Sequence, residues 1–599
     1  MNDPEIDLAK HLQSLLADGR SPIGLRNTAY LPVLRSGDID RAARVLETLR
    51  SIDPANPTLL RDSASLRLRQ NDFAGAVQSI DELLASMDQP EEAVIEQAIQ
   101  TFLAATEAAR AAQLAAKYVP HKFQGTRLLS LALSAFQRAG ASYQAKASEI
   151  AKIILTQESL DDGLAAKAAA SLMSNGDAQT VFESLSHREL STQPALLLEL
   201  ARSMHMLRHD DADVDYLLDK LLRIEPASVR ARDLKGQRLL LRGDAEGALA
   251  ILTSIPEGKR TANMSAHLAQ ALAEVGRLDK ARAIFDALLA VQPDNAPLRR
   301  LYAKSLATAG DQLSAKQVYQ AGLKRRASKL FSSFEENLRH IAAQPADEPI
   351  PDHRLDWAFH ALGHRAGMTL DRVTWARKTL QHLSIDQLLV DWVECNPDRI
   401  DEVFPYLELP QETVDTLDRL QAHGKGVIVA SAHIGILFSG PLMLYKHGYP
   451  LSWLASVPDL GREGLDDHLI STTTTDQMGL VKGILNALDK RCIVTIAIDG
   501  ATERQRTKYP FFDKQIHLSD VVPRMVFRRK IPSVFPTLVW DGTKVSAYLR
   551  ELPLPDDSES AGAFKHRWMQ DFLSNCTTFA AKYPDHLRLS GGFWKTLTR

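Results

Sequence analysis

The chain has 599 residues, 45% hydrophobic and 24% charged, with a net charge of −3 at pH 7. These values exclude a wholly disordered or collagen-like chain, and the near-neutral balance gives no global electrostatic case for nucleic acid. The three cysteines, Cys395, Cys492 and Cys576, are too few for a disulfide scaffold and form no Cys/His cluster, so a reducing compartment is expected and neither metal nor cofactor is implied.

The N-terminus begins MNDPEIDLAK and lacks a basic segment followed by an apolar one, so it does not read as a signal peptide. No window carries 18 unbroken apolar residues; the best candidate, Ser431 to Tyr445, is short and contains His433 and Pro441. The expected location is cytoplasmic, with peripheral contact at the inner face of a bacterial inner membrane left open.

The first half repeats. Gly37, Ala42, Leu46, Leu49 and Pro54 recur 34 residues later as Asn71, Ala76, Ile80, Leu83 and Asp88. Gly276, Ala281, Phe285, Leu288 and Pro293 recur at the same offset as Gly310, Ala315, Tyr319 and Gly322. Weaker copies fall at Gly140 with Ala145, Gly176 with Val181 and Leu185, and Gly243 with Ala248 and Leu252. A small residue lets the chain turn, an alanine lets two helices approach, a larger apolar residue fills the groove and proline ends the second helix. This spacing resembles tetratricopeptide repeats and predicts an all-α solenoid over 1–345 whose surface binds a protein partner.

A linker is expected at 346–354, where prolines crowd. Residues 355–423 read as helical, with Trp357, His360, His364, Trp375, His382 and Trp392 as packing residues. From Gly424 the pattern becomes α/β. Strands are predicted at Val427–Ala430, Leu451–Ala455, Cys492–Ile498, Ile531–Trp540 and Val545–Leu552. Helices are predicted at Ile434–Lys446, Met478–Leu488 and 563–583. Alternation of strand and helix implies a mainly parallel sheet.

Three features carry chemistry. His433 in Ser431-Ala432-His433-Ile434-Gly435 directly follows an apolar strand, where α/β sheets place reactive groups. Asp499 in Ala497-Ile498-Asp499-Gly500 also ends an apolar strand and would face the same crevice, although Asp-Gly is also a common turn. Between Arg504 and Lys530, eight Lys/Arg oppose two Asp, a local net of +6 that suits a phosphorylated or acidic partner such as acyl carrier protein, coenzyme A or an anionic headgroup.

In order, the chain shows Gly424-Lys425-Gly426-Val427-Ile428-Val429, then Ala432-His433-Ile434-Gly435, then Tyr445-Lys446-His447-Gly448-Tyr449-Pro450-Leu451. Ala497-Ile498-Asp499-Gly500, Tyr509-Pro510-Phe511-Phe512-Asp513-Lys514, Tyr583-Pro584-Asp585-His586 and Phe593-Trp594-Lys595 follow. This series resembles the lysophospholipid acyltransferase superfamily, nearest its late lipid A lauroyl and myristoyl transferases, over residues 355–599. The resemblance implies an acyltransferase-like domain in which a His-x4-Asp/Glu pair activates an acceptor hydroxyl against an acyl thioester. It implies His433 as the base; Asp499 is the candidate to support it from the neighbouring strand end, with Gly435, Glu503, Arg504, Arg506 and Lys508 as candidate substrate contacts. The donor would be acyl carrier protein or acyl-coenzyme A, and the acceptor an envelope lipid or glycan.

The chain departs from that pattern at three places. The acid position five residues after His433 is Phe438, and no Asp or Glu occurs from Ile434 to Pro458. Ser456-Val457-Pro458 replaces an Arg-Pro, and the repeats stand where a membrane anchor would. Losing the orienting acid in a related arrangement costs roughly 10⁴-fold, unless Asp499 or Glu503 substitutes in space. Two readings therefore stand: an acyltransferase, and a catalytically inactive acyltransferase-like scaffold for envelope polysaccharide or lipid assembly. A hydrolase built on Ser431 or Ser439 is disfavoured, because neither lies in a G-x-S-x-G elbow.

Overall fold

The computed structural model describes all residues except 1–10, 13, 16, 158–160, 191–192, 208–210, 344–349, 363–369, 457–465, 473–474, 476, 500–506 and 599. By internal contacts the chain divides into Met1–Met206 and Leu207–Arg599, so the later repeats and the α/β region share one unit.

Each unit holds a run of helices of about 13 residues, among them Ile39–Ile52, Pro57–Arg69 and Phe73–Ala85 in the first and Ala262–Glu274, Leu278–Val291 and Ala296–Thr308 in the second. The turn residues anticipated from the repeat adopt the left-handed conformation: φ is +84° at Gly37, 59° at Asn71, +79° at Gly276 and +88° at Gly310. Only glycine and, at a cost, asparagine sit there readily. The residue that follows is often Asp, and it caps the next helix: Asp38 accepts from Arg41 N at 3.0 Å and Asp72 from Gly75 N at 2.9 Å. Asp244 and Asp311 do the same. Ala42, Ala76, Ala248, Ala281 and Ala315 are buried, as close helix packing requires. In the copy at Gly140 the pattern slips: Ala145 is exposed and Ala147 takes the buried place, because a short 3₁₀ turn at Ala141–Tyr143 shifts the helix start.

Seven strands form the main sheet: β1 (Leu407–Glu408), β2 (Val427–Ser431), β3 (Leu451–Ala455), β4 (Leu469–Ser471), β5 (Ile493–Ala497), β8 (Ser533–Trp540) and β9 (Val545–Glu551). Their order is β1-β9-β8-β2-β5-β3-β4, parallel throughout except for the β8–β9 hairpin. A small antiparallel sheet joins β10 (Leu597–Thr598), β7 (Lys514–Leu518) and β6 (Thr507–Phe511).

Six helices of this region matter for the site: α1 (Arg372–Cys395), α2 (Gln411–Gln421), α3 (Ser439–Lys446), α4 (Gln477–Asp489), α5 (Val521–Arg529) and α6 (Ala561–Lys582). On one sheet face Ile428, Ala430, Val494 and Phe535 pack with Trp568, Phe572 and Phe579 of α6. The opposite face meets α2 and α3. The helix expected from Ile434 begins only at Ser439, because residues 434–438 form a turn in which Gly435 has φ +73°.

The last repeat helix, Gln312–Ala327, is tied to α1. Arg326 pairs with Asp391 at 2.6 Å and with Glu394, which also accepts from Tyr319 Oη at 2.7 Å. The two carboxylates raise the Arg326 guanidinium against the cost of burial.

Candidate functional site

Strand register brings the two expected residues together. β2 and β5 are parallel neighbours with Ser431 opposite Ala497, so two further residues along each strand end place His433 opposite Asp499. β2 also lies between β5 and β8, the position where the chain reverses its direction of strand addition and α/β sheets open a crevice. His433 Nδ1 is 2.8 Å from Asp499 Oδ1, and the backbone N–H of His433 donates to both carboxylate oxygens at 3.1 and 3.0 Å. The contact is thus made by a residue 66 positions away rather than by the position five residues on.

The electrostatics follow. Asp499 is fully buried; burial pushes its carboxyl up, but the His433 ring and backbone hydrogen bonds outweigh this and hold it below the ordinary range. The Asp499 charge raises the His433 imidazolium above its ordinary value, against burial. With the Nδ1 proton directed at Asp499, the lone pair lies on Nε2, which has no hydrogen-bond partner among the described residues; the His433 side chain is 25% exposed. Cys576 of α6 lies near Asp499, and burial keeps its thiol protonated.

Asp386 and Arg588, which no motif of the sequence singled out, complete the surroundings. Asp386, buried on α1, accepts from the backbone N–H of Phe438 at 3.0 Å and stands 3.2 Å from Arg588. Burial raises the Asp386 carboxyl, partly offset by Arg588. Arg588 also lies over the Phe438 ring at 5.6 Å. The turn after His433 is held by Gly435 N donating to His586 O at 2.8 Å and Ile436 N to Leu538 O at 3.1 Å. A Cβ on Gly435 would stand 2.4 Å from Leu538 O, so no other residue fits. Asp386 and Arg588 are remote in sequence and belong to no local motif, so only pairing of distant segments would have shown them, whereas His586 closes the Tyr583-Pro584-Asp585-His586 segment noted above.

Phe438 packs its ring among apolar residues. It helps to line a cavity of about 70 Å³ between α2, α3 and the sheet, together with Leu417, Leu444, Trp453, Thr495 and Leu538. The cavity reaches Ser431 and Ala497, each two residues before a member of the His433–Asp499 pair. Ser431 Oγ donates to Ile496 O and Ser439 Oγ to Ile436 O, so neither hydroxyl is paired with His433.

Of the expected substrate contacts, Gly435 lies in the turn beside His433, whereas Glu503, Arg504 and Arg506 lie outside the described residues, as does Gly500 of the Asp-Gly motif. Val457 and Pro458 do as well. Lys508 is exposed on β6, and no hydrogen bond or ion pair joins it to His433 or Asp499. The rest of the basic stretch is partly neutralised: Arg524 and Lys565 meet Asp520, Arg529 meets Asp489 and Lys530 meets Asp557. Lys514 lies over the rings of Trp357 and Trp594.

One group of metal-ligand types occurs among the described residues: His382, Asp585 and His586. Three of its four ring nitrogens already serve hydrogen bonds. His382 Nδ1 bonds Asp585 O at 3.0 Å, His586 Nδ1 bonds Asp585 Oδ1 at 3.0 Å, and His586 Nε2 accepts from Trp540 N at 3.1 Å. The group joins α1, β8 and the segment after α6. Among the described residues, no helix is long and apolar enough to cross a membrane.

Comparison with known proteins bears on the two regions unequally. Residues 33–94 and 239–305 match the tetratricopeptide repeat family model. The chain is 29% identical over 379 residues to the Vi polysaccharide export protein VexE of Salmonella typhi, a match covering 63% of this chain and 58% of that protein, less than two thirds of its length. Among solved structures, the APC/C hetero-tetramer Cut9–Hcn1 is 15% identical with TM-score 0.34, covering 68% of this chain and 88% of that one. Yeast Tom70 is 13% identical with TM-score 0.25, covering 74% and 93%. These structural likenesses carry no argument about function. The N-terminal part is a helical solenoid of tetratricopeptide repeats, and the C-terminal part carries a mostly parallel mixed sheet.

Proposed function

We propose that this chain transfers a fatty acyl group from a carrier thioester to a hydroxyl or amine of an envelope lipid or glycan. The observation that carries the reading is the His433–Asp499 pair at 2.8 Å, set at adjacent parallel strand ends over an apolar cavity. His433 Nε2 takes the proton of the acceptor group, whose oxygen or nitrogen attacks the thioester carbonyl carbon. The tetrahedral adduct collapses, the carbon–sulfur bond breaks, and the leaving thiolate takes the proton from the imidazolium. Asp499 fixes the tautomer and stabilises the cation, which answers the missing acid at Phe438. The cavity receives the acyl chain. The repeats hold a protein partner, and the polysaccharide-export name of the relative favours an acceptor belonging to envelope polysaccharide assembly.

A second reading, an inactive scaffold of the same fold, is favoured by Phe438 alone. The two separate in an assay of thiol release from acyl-coenzyme A and acyl carrier protein, with and without envelope extract. Acceptor-dependent release that disappears in His433→Ala supports transfer. Release that persists in that variant removes His433 from the reaction.

A further inference from the structure

Trp453, on β3, borders three apolar spaces at once. The first is the cavity of about 70 Å³ that reaches Ser431 and Ala497. The second is a void of about 20 Å³ beside Phe438 and Leu469. The third is a groove of about 260 Å³ between Val393, Ile400, Leu442 and Tyr445. The groove reaches the surface, since Asp398 on its rim is exposed and Tyr445 is 43% exposed. Pro441 of α3 is shared between the cavity and the groove, Leu442 between the void and the groove, and Ala455 of β3 between the cavity and the void, so the three spaces adjoin one another around the indole. The Trp453 indole N–H is buried and finds no hydrogen-bond partner among the described residues. Packing rather than a hydrogen bond therefore holds the ring among the described residues, and moving the indole breaks no hydrogen bond.

We propose that Trp453 is the specificity-determining residue for acyl-chain length: the indole closes the inner cavity against the outer groove, so that chain beyond the inner cavity is accommodated only by displacing the ring. This rests on the acyltransferase reading. The occupant is a single fatty acyl chain, because the inner cavity reaches Ser431 and Ala497, each two residues before the His433–Asp499 pair, and is walled mostly by apolar side chains, among them Leu417, Val429, Leu444 and Leu549. Each further methylene buried on ligand binding changes affinity about fourfold.

The test uses the full chain and its Trp453→Ala, Trp453→Phe and Ala455→Leu variants. Saturated fatty acids of increasing length displace a fluorescent fatty-acid probe, and the same variants are scored for acyl transfer from acyl-coenzyme A donors of those lengths. Removing the indole should move the preferred length upward, with the ratio of long to medium chain rising at least about tenfold for two added methylenes. Trp453→Phe should lie between that variant and the parent, and Ala455→Leu should move the preference downward. A folded Trp453→Ala protein with an unchanged length profile, or with equal loss at every length, overturns the proposal. If Trp453→Ala does not fold, the direction of the Ala455→Leu shift decides. A shifted binding profile without transfer in the parent leaves the partition standing and removes the transferase. Transfer with the same length profile in all variants does the reverse.

Discussion

Replacing Asp499 with Asn keeps the shape of the side chain and removes the charge beneath His433. The carboxylate meets the His433 Nδ1–H at 2.8 Å and the His433 backbone N–H at 3.1 and 3.0 Å. An amide offers one oxygen, so one of the two donors loses its acceptor or faces an NH₂. Charge-assisted hydrogen bonds contribute about 1.5–3 kcal/mol each, and the neutral amide is cheaper to bury, so the net loss of stability is about 2–3 kcal/mol. The catalytic effect is larger. An amide that donates to Nδ1 places the imidazole proton on Nε2 and abolishes the base, a change that lowers turnover about 10⁴-fold in a related arrangement.

The pH signs are fixed by the same contacts. The folded His433 titrates above its ordinary value of about 6.5, so transfer should rise with pH only once the imidazolium loses its proton above that value. The stability that the imidazolium–carboxylate attraction adds is present below pH ~6.5 and lost as pH rises through the folded value. The contribution of Asp499, whose folded value is depressed, is present above pH ~3.9 and lost as pH falls through its folded value. In Asp499→Asn the acid limb of the rate profile should move to lower pH. The checks are a pH–rate profile and an NMR titration of the His433 ring. A variant that keeps both the parent rate and the parent titration midpoint would refute the argument.

Other outcomes follow from the same geometry. Phe438→Asp, which restores the acid of the family pattern, should give no gain in rate and should lower stability by about 3–5 kcal/mol, because it removes a packed ring and places a carboxylate in the apolar cavity; thermal melts and thiol release check this. Gly435→Ala should destabilise by more than about 1 kcal/mol and lower activity, since the turn needs φ +73° and leaves 2.4 Å to Leu538 O. Arg326→Ala should cost about 2–4 kcal/mol in a denaturant melt by removing the shared cation from Asp391 and Glu394, whose side chains are 21% and 4% exposed and keep hydrogen bonds to neutral groups such as Tyr319 Oη and the Gln387 amide. His382 is held down to about 4 by burial and by His586, so stability should fall by about 3 kcal/mol in all as pH drops from ~6.5 towards that value, and His382→Asn should remove the slope.

Much of the fold was legible because it rests on short-range rules. The repeat register follows from left-handed turn residues, and the Asp after each of several such turns is a second signal, a helix cap, that the glycine spacing alone did not use. β3 was legible to the residue, since an apolar run between Pro450 and the turn beyond it has no alternative partner. The β6–β7 hairpin was missed because its outer positions are charged and Pro510 lies within β6, features that argue against a strand. The start of α3 was misplaced because an apolar sequence does not reveal that Gly435 turns left-handed against Leu538. At the site, His433 and Asp499 were visible as strand ends, but their contact depends on β2 and β5 being neighbours in register. Asp386 and Arg588 meet Phe438 and each other only through tertiary packing, which no spacing in the chain encodes.

The most direct test of acyl transfer is mass spectrometry of its product. The purified chain and its His433→Ala variant are incubated with acyl-carrier-protein and acyl-coenzyme A donors and a total envelope lipid and glycan extract. A species heavier by one acyl group is expected with the parent protein and none with the variant. No such species from folded parent protein, while a known transferase acylates its acceptor in the same extract, would contradict acyl transfer and leave the repeat surface as the seat of function.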